Sequence, residues 1–214
     1  MNRITRLAIT LSLIGMLPAG AAKFSRAQVS RVVNQVELLL PNQSKRSANV
    51  GATVSGTTAV QTGARSRAEL TFPDESLVRL GSNSVFSFAS GTRDVTLDKG
   101  TMLLQSERFK GRTRIKTAAV TAAITGTTIM LEFVPAVYDD AGNIIKPGVI
   151  KIIVIEGSLE FSLVINPRKK MRLKAGEMVV FAANATDLPG KLLFDIRQLV
   201  KTSQLINMGL TSRR

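Results

Sequence analysis

The sequence predicts an all-β fold: a glycine-punctuated antiparallel sandwich or β-solenoid-like roll of about 10–12 short strands, with a short C-terminal helix. Between positions 32 and 181, apolar residues recur at every second position, as in Ala68, Leu70 and Phe72. This period is typical of strands with one buried face. Glycines interrupt the pattern about every ten residues. No long helical pattern separates the strands, so a parallel α/β sheet is not expected.

The N-terminal segment has the features of an export signal. Arg3 and Arg6 precede an apolar run, which Pro18 ends before four small residues. This order predicts a secretory signal cleaved after Ala22, because the run is shorter than the about 20 residues of a membrane span. An uncleaved N-terminal membrane anchor is the alternative. We therefore expect a periplasmic or secreted protein with three parts: a signal peptide (1–22), a β domain (23–182) and a linker with a short helical tail (183–214).

The stretch "TAAVTAAITGTTIMLEF" (117–133) predicts a strand pair rather than a ligand-binding loop. Its apolar residues occupy even positions up to Ile124 and odd positions from Ile129 onward. A change of parity requires a bulge or turn, which Gly126 can supply. The segments "LDKGTM" and "LKAGEM" share a similar apolar-x-x-Gly-x-Met pattern, which indicates that a strand ends at the glycine and another begins.

The end of the chain predicts a short helix. Asp195 is placed to cap it, and Ile196, Leu199 and Val200 share one face. The helix either packs back on the sheet or, through basic residues on its other side, contacts a partner or a membrane surface.

Composition excludes several kinds of chemistry. The chain has neither Cys nor His, which removes disulfides, structural zinc sites and His-dependent catalysis. The adjacent acidic pairs Asp74–Glu75 and Asp139–Asp140 lie in turns, and the second lacks the ligand spacing of a calcium loop. We therefore expect a non-catalytic protein with no catalytic, metal or cofactor-binding residues. An enzyme with a carboxylate site assembled from distant strands is the less favoured alternative.

The charge balance predicts an anionic partner. Lys and Arg number 29 against 15 Asp and Glu, for a net charge of +14. One Tyr, nine Phe and no Trp leave few rings for stacking on bases, so nucleic acid is not expected. An exported protein meets other anions, and we predict an envelope protein or an anionic envelope polymer as partner, with peripheral membrane contact as a further option. The sequence does not predict an oligomeric state.

Two basic segments, "RFKGRTRIK" and "RKKMRLK", are the candidate binding sites. Alternate residues of a strand share one face, so each segment can present a row of cations that an anion would stabilise. The alternative is a solvated row that prevents edge strands from pairing. Gly111 weakens the first row, since it can break the strand. The candidate residues are Arg108, Lys110, Arg112, Arg114 and Lys116, followed by Arg168, Lys169, Lys170, Arg172 and Lys174.

Five motifs resemble the FecR-like domain, a family named for a periplasmic sensor-regulator of ferric citrate uptake. They are "VGATVSGTTAVQTGARSRAELTFPDESLVRLGSNSVFSF", "VTLDKGTMLLQ", "TAAITGTTIMLEF", "VIEGSLEF" and "LKAGEMVVF". The resemblance covers Val32 to Phe181 and implies an all-β, exported domain. Glu75 departs from it, because the family usually has Gly after the Asp of that turn, so the turn type is open.

The resemblance does not transfer the namesake's activity. Regulators of that kind have a cytoplasmic N-terminal region that handles a sigma factor, followed by a membrane span. Only a few residues precede the apolar segment here. We therefore do not expect that mechanism from this chain alone. A sensor component that works with separate membrane partners is the alternative to a structural or binding module.

Overall fold

The computed structural model describes residues 23–41, 45–108 and 110–209. The predicted signal segment lies outside the described residues. Most of the described chain is in strands, and one short α-helix follows them, so the predicted all-β class is confirmed. The elements are β1 Arg26–Val33, β2 Val36–Leu39, β3 Arg46–Ser47, β4 Thr53–Ser55, β5 Ala59–Thr62, β6 Arg67–Thr71, β7 Leu77–Leu80, β8 Val85–Phe88, β9 Asp94–Gln105, β10 Thr113–Lys116, β11 Val120–Ile124, β12 Thr128–Val134, β13 Val137–Tyr138, β14 Ile144–Lys146, β15 Val149–Glu156, β16 Ser158–Leu163, β17 Asn166–Lys174, β18 Glu177–Ala182, β19 Leu192–Leu193, α1 Ile196–Thr202 and a 3₁₀ turn Ile206–Gly209.

The strands form two sheets that pack as a sandwich. Sheet I has the order β4-β1-β6-β7-β9-β12-β15-β18-β19. Sheet II has the order β3-β2-β5-β8-β9-β10-β11-β16-β17. Among the described pairings only β9–β10 is parallel, and β13–β14 is a separate hairpin. Of the two predicted architectures, the structure has the sandwich.

The described residues form more strands than the 10–12 predicted. Several have only two or three residues, such as β3 and β13. Others are continuous in sequence and are divided by a corner at which the chain crosses from one sheet to the other. Gly157, for example, separates β15 in sheet I from β16 in sheet II. The hydrophobic pattern of the sequence continues through such corners, so it does not show where one strand ends and the next begins.

Four of these crossings contain a glycine with positive φ: Gly100, Gly126, Gly157 and Gly176. The crossing at Gly126 joins β11 in sheet II to β12 in sheet I, which explains the parity change in the sequence. The apolar residues on both sides of it are buried, as expected for a strand that keeps one face toward the same core. The glycines of "LDKGTM" and "LKAGEM" are likewise crossing points.

Strand β9 belongs to both sheets. Its first half pairs with β8 and β10 in sheet II, and its second half pairs with β7 and β12 in sheet I. The bend is at Gly100, where φ is +94° and a Cβ atom would lie 2.4 Å from Cα of Ser84. The hydroxyl of Ser84 accepts a hydrogen bond from the backbone N–H of Thr101 at 2.9 Å and donates to the carbonyl of Gly81 at 3.0 Å. Only glycine fits this corner.

A buried ion pair lies at the start of β9. Asp74, in the β6–β7 turn, pairs with Arg93, the residue before β9, and their side chains are 4% and 5% exposed. Asp74 also accepts a hydrogen bond from the N–H of Ser76 at 3.1 Å, and Arg93 donates to Oγ1 of Thr113 at 3.2 Å. The guanidinium lies 4.5 Å from the ring centroid of Phe24. This network joins the β6–β7 turn to the starts of β9 and β10.

In the β6–β7 turn, the position that the resembling family usually fills with glycine has a left-handed backbone conformation. Glu75 has φ +69°, a left-handed conformation that a residue with a Cβ adopts at some cost. The N–H of Glu75 donates to the carbonyl of Phe72 at 3.0 Å, which closes the turn. The sequence departure at this position therefore changes the residue but not the left-handed geometry.

We expect Gly100→Ala to lower the free energy of unfolding by about 2–4 kcal/mol, because the methyl group adds a left-handed penalty and overlaps the Ser84 backbone. Gly142→Ala is the matched control: its φ is +85°, but no atom lies within 4 Å of the added Cβ. That control should cost about 1 kcal/mol. Urea unfolding followed by circular dichroism measures both, and equal losses would show that the contact with Ser84 does not restrict the corner.

We expect Arg93→Met to destabilise the protein by about 3–5 kcal/mol, because it leaves the Asp74 carboxylate buried without its cation. Adding Asp74→Asn should restore part of this loss, which a double-mutant cycle in urea measures. Arg108→Met is the control, since Arg108 and its partner Glu156 are both more than 60% exposed and their pair should contribute little. Strictly additive losses for Asp74 and Arg93 would contradict the coupling.

Candidate anion-binding face

The outer face of sheet II collects residues from both predicted basic segments. On β10, Thr113 and Ile115 are buried, so Arg114 and Lys116 project outward. On β17, Leu173 is buried, and its even-numbered neighbours project to the same outer side. The strand register connects the two: one row runs Arg114, Ala123, Glu160, Arg172, and the next runs Lys116, Thr121, Ser162, Lys170.

Between the two basic strands lies a shallow groove. Strands β11 and β16 separate β10 from β17, which places the two rows of cations about 14 Å apart. Its floor is formed by Thr121, Ala123, Ser162 and the charged Glu160, and depressions of about 200 Å³ and 270 Å³ lie along it. We call this surface the basic face and define it by Arg112, Arg114, Lys116, Lys170 and Arg172.

Two carboxylates partly neutralise the basic face. Glu160, in the middle of the groove, is 3.4 Å from Arg112 and 3.3 Å from Lys170. Asp94 is 3.3 Å from Arg114 and 2.7 Å from Lys116. Five cations therefore face two anions. Because the cationic partners are 45–64% exposed, these ion pairs are weak, and an anionic ligand can replace them at small cost.

The remaining predicted residues lie around this face or away from it. Arg108 and Lys110 precede β10 in a loop, because Gly111 has φ +104° and the strand begins only at Thr113. The five alternating cations of the first segment therefore do not form one row, which corrects that expectation. Arg108 pairs with Glu156 at 3.2 Å. All five residues of the second segment lie on β17: Arg168, Lys169, Lys170, Arg172 and Lys174.

Lys169 contacts an acidic residue of the linker. Its ammonium group hydrogen-bonds to the Asp187 carboxylate, and this bond lowers the pKa of Asp187 below its usual value.

Within the described chain, four of the ten predicted residues form no ion pair within 4 Å: Lys110, Arg168, Arg172 and Lys174. Of these four, only Arg172 belongs to the basic face, which therefore has one cation without an ion-pair partner among the described residues.

The acidic hairpin tip is built by turn chemistry. Asp139 accepts hydrogen bonds from the N–H of Ala141 at 3.0 Å and from the N–H of Asn143 at 2.7 Å. The hydrogen bonds from Asn143 lower the pKa of the Asp139 carboxyl, so it stays ionised as a turn acceptor. In the described part of the chain, no group of three or more His, Cys, Asp or Glu side chains could hold a metal ion.

The C-terminal segment docks on sheet I through contacts that the sequence did not indicate. Asp195 caps α1 as predicted, accepting from the N–H of Arg197 at 2.8 Å. The helix itself buries no residue, however, and docking occurs in the turn that follows, where Leu205 and Met208 are buried.

Three arginines on adjacent strands hold this turn: Arg31 on β1, Arg67 on β6 and Arg79 on β7. Arg79 donates to the carbonyl of Ile206 at 2.6 Å, Arg67 donates to the side chain of Gln204 at 2.6 Å, and Arg31 donates to the carbonyl of Met208. The acceptors are mostly backbone carbonyls, which every residue has, so the amino-acid sequence gives no pattern from which this docking could be predicted.

Over residues 23–41, 45–108 and 110–209, no helix is long and apolar enough to cross a membrane.

The protein is an all-β sandwich, and comparison with known proteins shows which family and which solved structures it resembles. Residues 58–160, just under half of the chain, match the family model described as FecR protein. The resemblance that the sequence motifs indicated is therefore confirmed over these residues. No curated protein matches the chain significantly.

Two crystal structures, each of a candidate anti-sigma factor from Parabacteroides distasonis, are similar in fold. Their TM-scores are 0.52 and 0.51, with sequence identities of 16% and 18%. Each match covers 66% of this chain and 62% of the crystallised chain, so less than two thirds of those proteins is represented. At this identity the likeness establishes the fold alone.

Proposed function

We propose that this protein is a non-catalytic binding module of the cell envelope, and that the basic face holds an anionic envelope polymer or an acidic surface of an envelope protein. One observation carries the proposal: two basic segments more than 50 residues apart in sequence lie on the same side of sheet II. The N-terminal export features of the sequence and the FecR domain support a periplasmic or secreted location.

Protection of sheet edges does not account for this face. Strand β17 is the last strand of sheet II, so its lysines and arginines can serve to prevent pairing with another molecule. Strand β10 is internal, however, between β9 and β11. Arg114 and Lys116 therefore have no edge to protect, and with five cations against the two carboxylates Glu160 and Asp94 the face keeps a net positive charge that an external anion would stabilise.

A sensor component of a trans-envelope signalling system is the second candidate. The FecR domain and the fold of the Parabacteroides distasonis proteins favour it. In this case the partner of the basic face would be a separately encoded membrane protein rather than a polymer. A sigma-factor gene beside the gene for this protein would favour the second candidate over the first.

We expect the purified protein to bind heparin, used as a soluble polyanion, with an affinity that falls steeply as salt is raised. The double variants Arg112→Glu/Arg114→Glu and Lys170→Glu/Arg172→Glu should each lose about tenfold in affinity near physiological salt, because each removes two cations and adds two anions beside the ligand. Isothermal titration at several salt concentrations measures the effect.

Lys45→Glu/Lys201→Glu is the matched control, since it changes the net charge equally at two exposed lysines outside the basic face. It should retain most of the affinity. If all three variants lose affinity equally, binding follows net charge alone, and the role assigned to the basic face is wrong.

A further inference from the structure

One end of the basic face has an apolar tip that the fold does not require. Strands β16 and β17 are joined by the two residues Val164 and Ile165, which are 51% and 71% exposed. Two-residue hairpin turns normally contain Gly, Asn or Asp, because those residues accept the left-handed backbone that the turn favours. Neither Val164 nor Ile165 has a positive φ. Turn geometry therefore gives no reason for two β-branched apolar side chains at this exposed position.

A backbone hydrogen bond fixes the position of the tip, while the side chains of Val164 and Ile165 remain exposed to solvent. The N–H of Val164 donates a hydrogen bond to the carbonyl of Ala119 at 2.9 Å, which ties it to the adjacent β10–β11 turn. That turn is itself closed by Thr117, whose hydroxyl accepts from the N–H of Val120 at 2.9 Å. Two neighbouring turns thus present a fixed protrusion with Ala118, Val164 and Ile165 at its surface.

Basic residues on two strands flank this protrusion. Lys116 is the last residue of β10, directly before the first turn, and Arg168, Lys169 and Lys170 follow the second turn on β17. Neither turn contains an acidic residue. Three carboxylates pair with these cations: Asp94 with Lys116 at 2.7 Å, Asp187 with Lys169, and Glu160 with Lys170 at 3.3 Å, while Arg168 has no ion-pair partner within 4 Å among the described residues. An apolar tip flanked by basic residues on two strands matches an anionic bilayer, whose head groups attract the cations while its acyl region takes up the apolar side chains.

We propose that this end of sheet II docks on an anionic lipid bilayer, with Val164 and Ile165 inserted at the level of the head groups and Lys116, Arg168 and Lys170 against the lipid phosphates. The inference rests on the proposed function, since the same basic face supplies the electrostatic attraction. It adds the partner's chemical class and the residues that distinguish a lipid surface from a soluble polyanion. A soluble polymer offers no apolar layer, so it gains nothing from the tip.

The test compares vesicles with a soluble polyanion. The full chain is sedimented with vesicles of phosphatidylcholine and phosphatidylglycerol in equal amounts, and with phosphatidylcholine alone, and its affinity for heparin is measured in parallel. We expect Val164→Ser/Ile165→Ser to weaken binding to the anionic vesicles about tenfold while heparin binding stays unchanged. Val50→Ser/Leu193→Ser is the matched control, because these apolar residues are also exposed but lie away from the tip. All variants keep the same N-terminal apolar segment, so its contribution cancels.

A second measurement locates the tip directly. The chain contains no cysteine, so Val164→Cys and Val50→Cys each provide a single site for an environment-sensitive dye. We expect a blue shift on adding anionic vesicles only for the dye at position 164. Vesicle binding without that shift, or without loss in the tip variant, overturns insertion of the tip. Binding to heparin but not to anionic vesicles overturns the lipid partner and leaves the proposed function standing, whereas binding to neither contradicts the proposed function itself.

Discussion

The architecture depends on one strand that serves two sheets. Strand β9 has twelve residues, and its bend at Gly100 lets the first half pair in sheet II and the second half in sheet I. The bend requires a left-handed backbone in direct contact with the backbone of Ser84, two demands that only glycine meets together. At the start of the strand, the ion pair of Arg93 with Asp74 fixes its position against the β6–β7 turn. With both points fixed, the two sheets are held over one core.

Local sequence patterns predicted much of this fold. Hydrophobic alternation identified the longer strands because most of them have one buried face, and the parity change around Gly126 marked a crossing between sheets. Asp195 was identified as a cap because its chemistry acts within one turn of helix. In each case, the residues that determine the local structure lie within a few positions of it in the sequence. The strand count was too low for the same reason, because a corner such as Gly157 divides a strand without interrupting its hydrophobic pattern.

Features that depend on pairing between distant strands could not be predicted. Arg93 and Asp74 resemble surface charges in the sequence, and only the packing of two turns buries them together. The basic segments were found by composition, but their common face is set by the register of β11 and β16 between them. Glu160 could not be placed in the groove for the same reason. The docking of the C-terminal turn relies on backbone carbonyls, which every residue has, so no side-chain pattern indicates it.

The strand that organises the fold also positions the basic face. Arg93 and Asp94 are consecutive: the side chain of Arg93 is buried against Asp74, while Asp94 lies on the outer face against Arg114 and Lys116. The N–H of Arg114 donates to the carbonyl of Arg93 at 3.0 Å, so the cation row of β10 is hydrogen-bonded to the residue that forms the buried ion pair. Four of the five cations of the face are therefore on strands with a fixed register rather than on loops, so little backbone entropy is lost when an anion binds. The two carboxylates of the face neutralise only part of the charge of its five cations, which is the physical reason that an external anion should bind there.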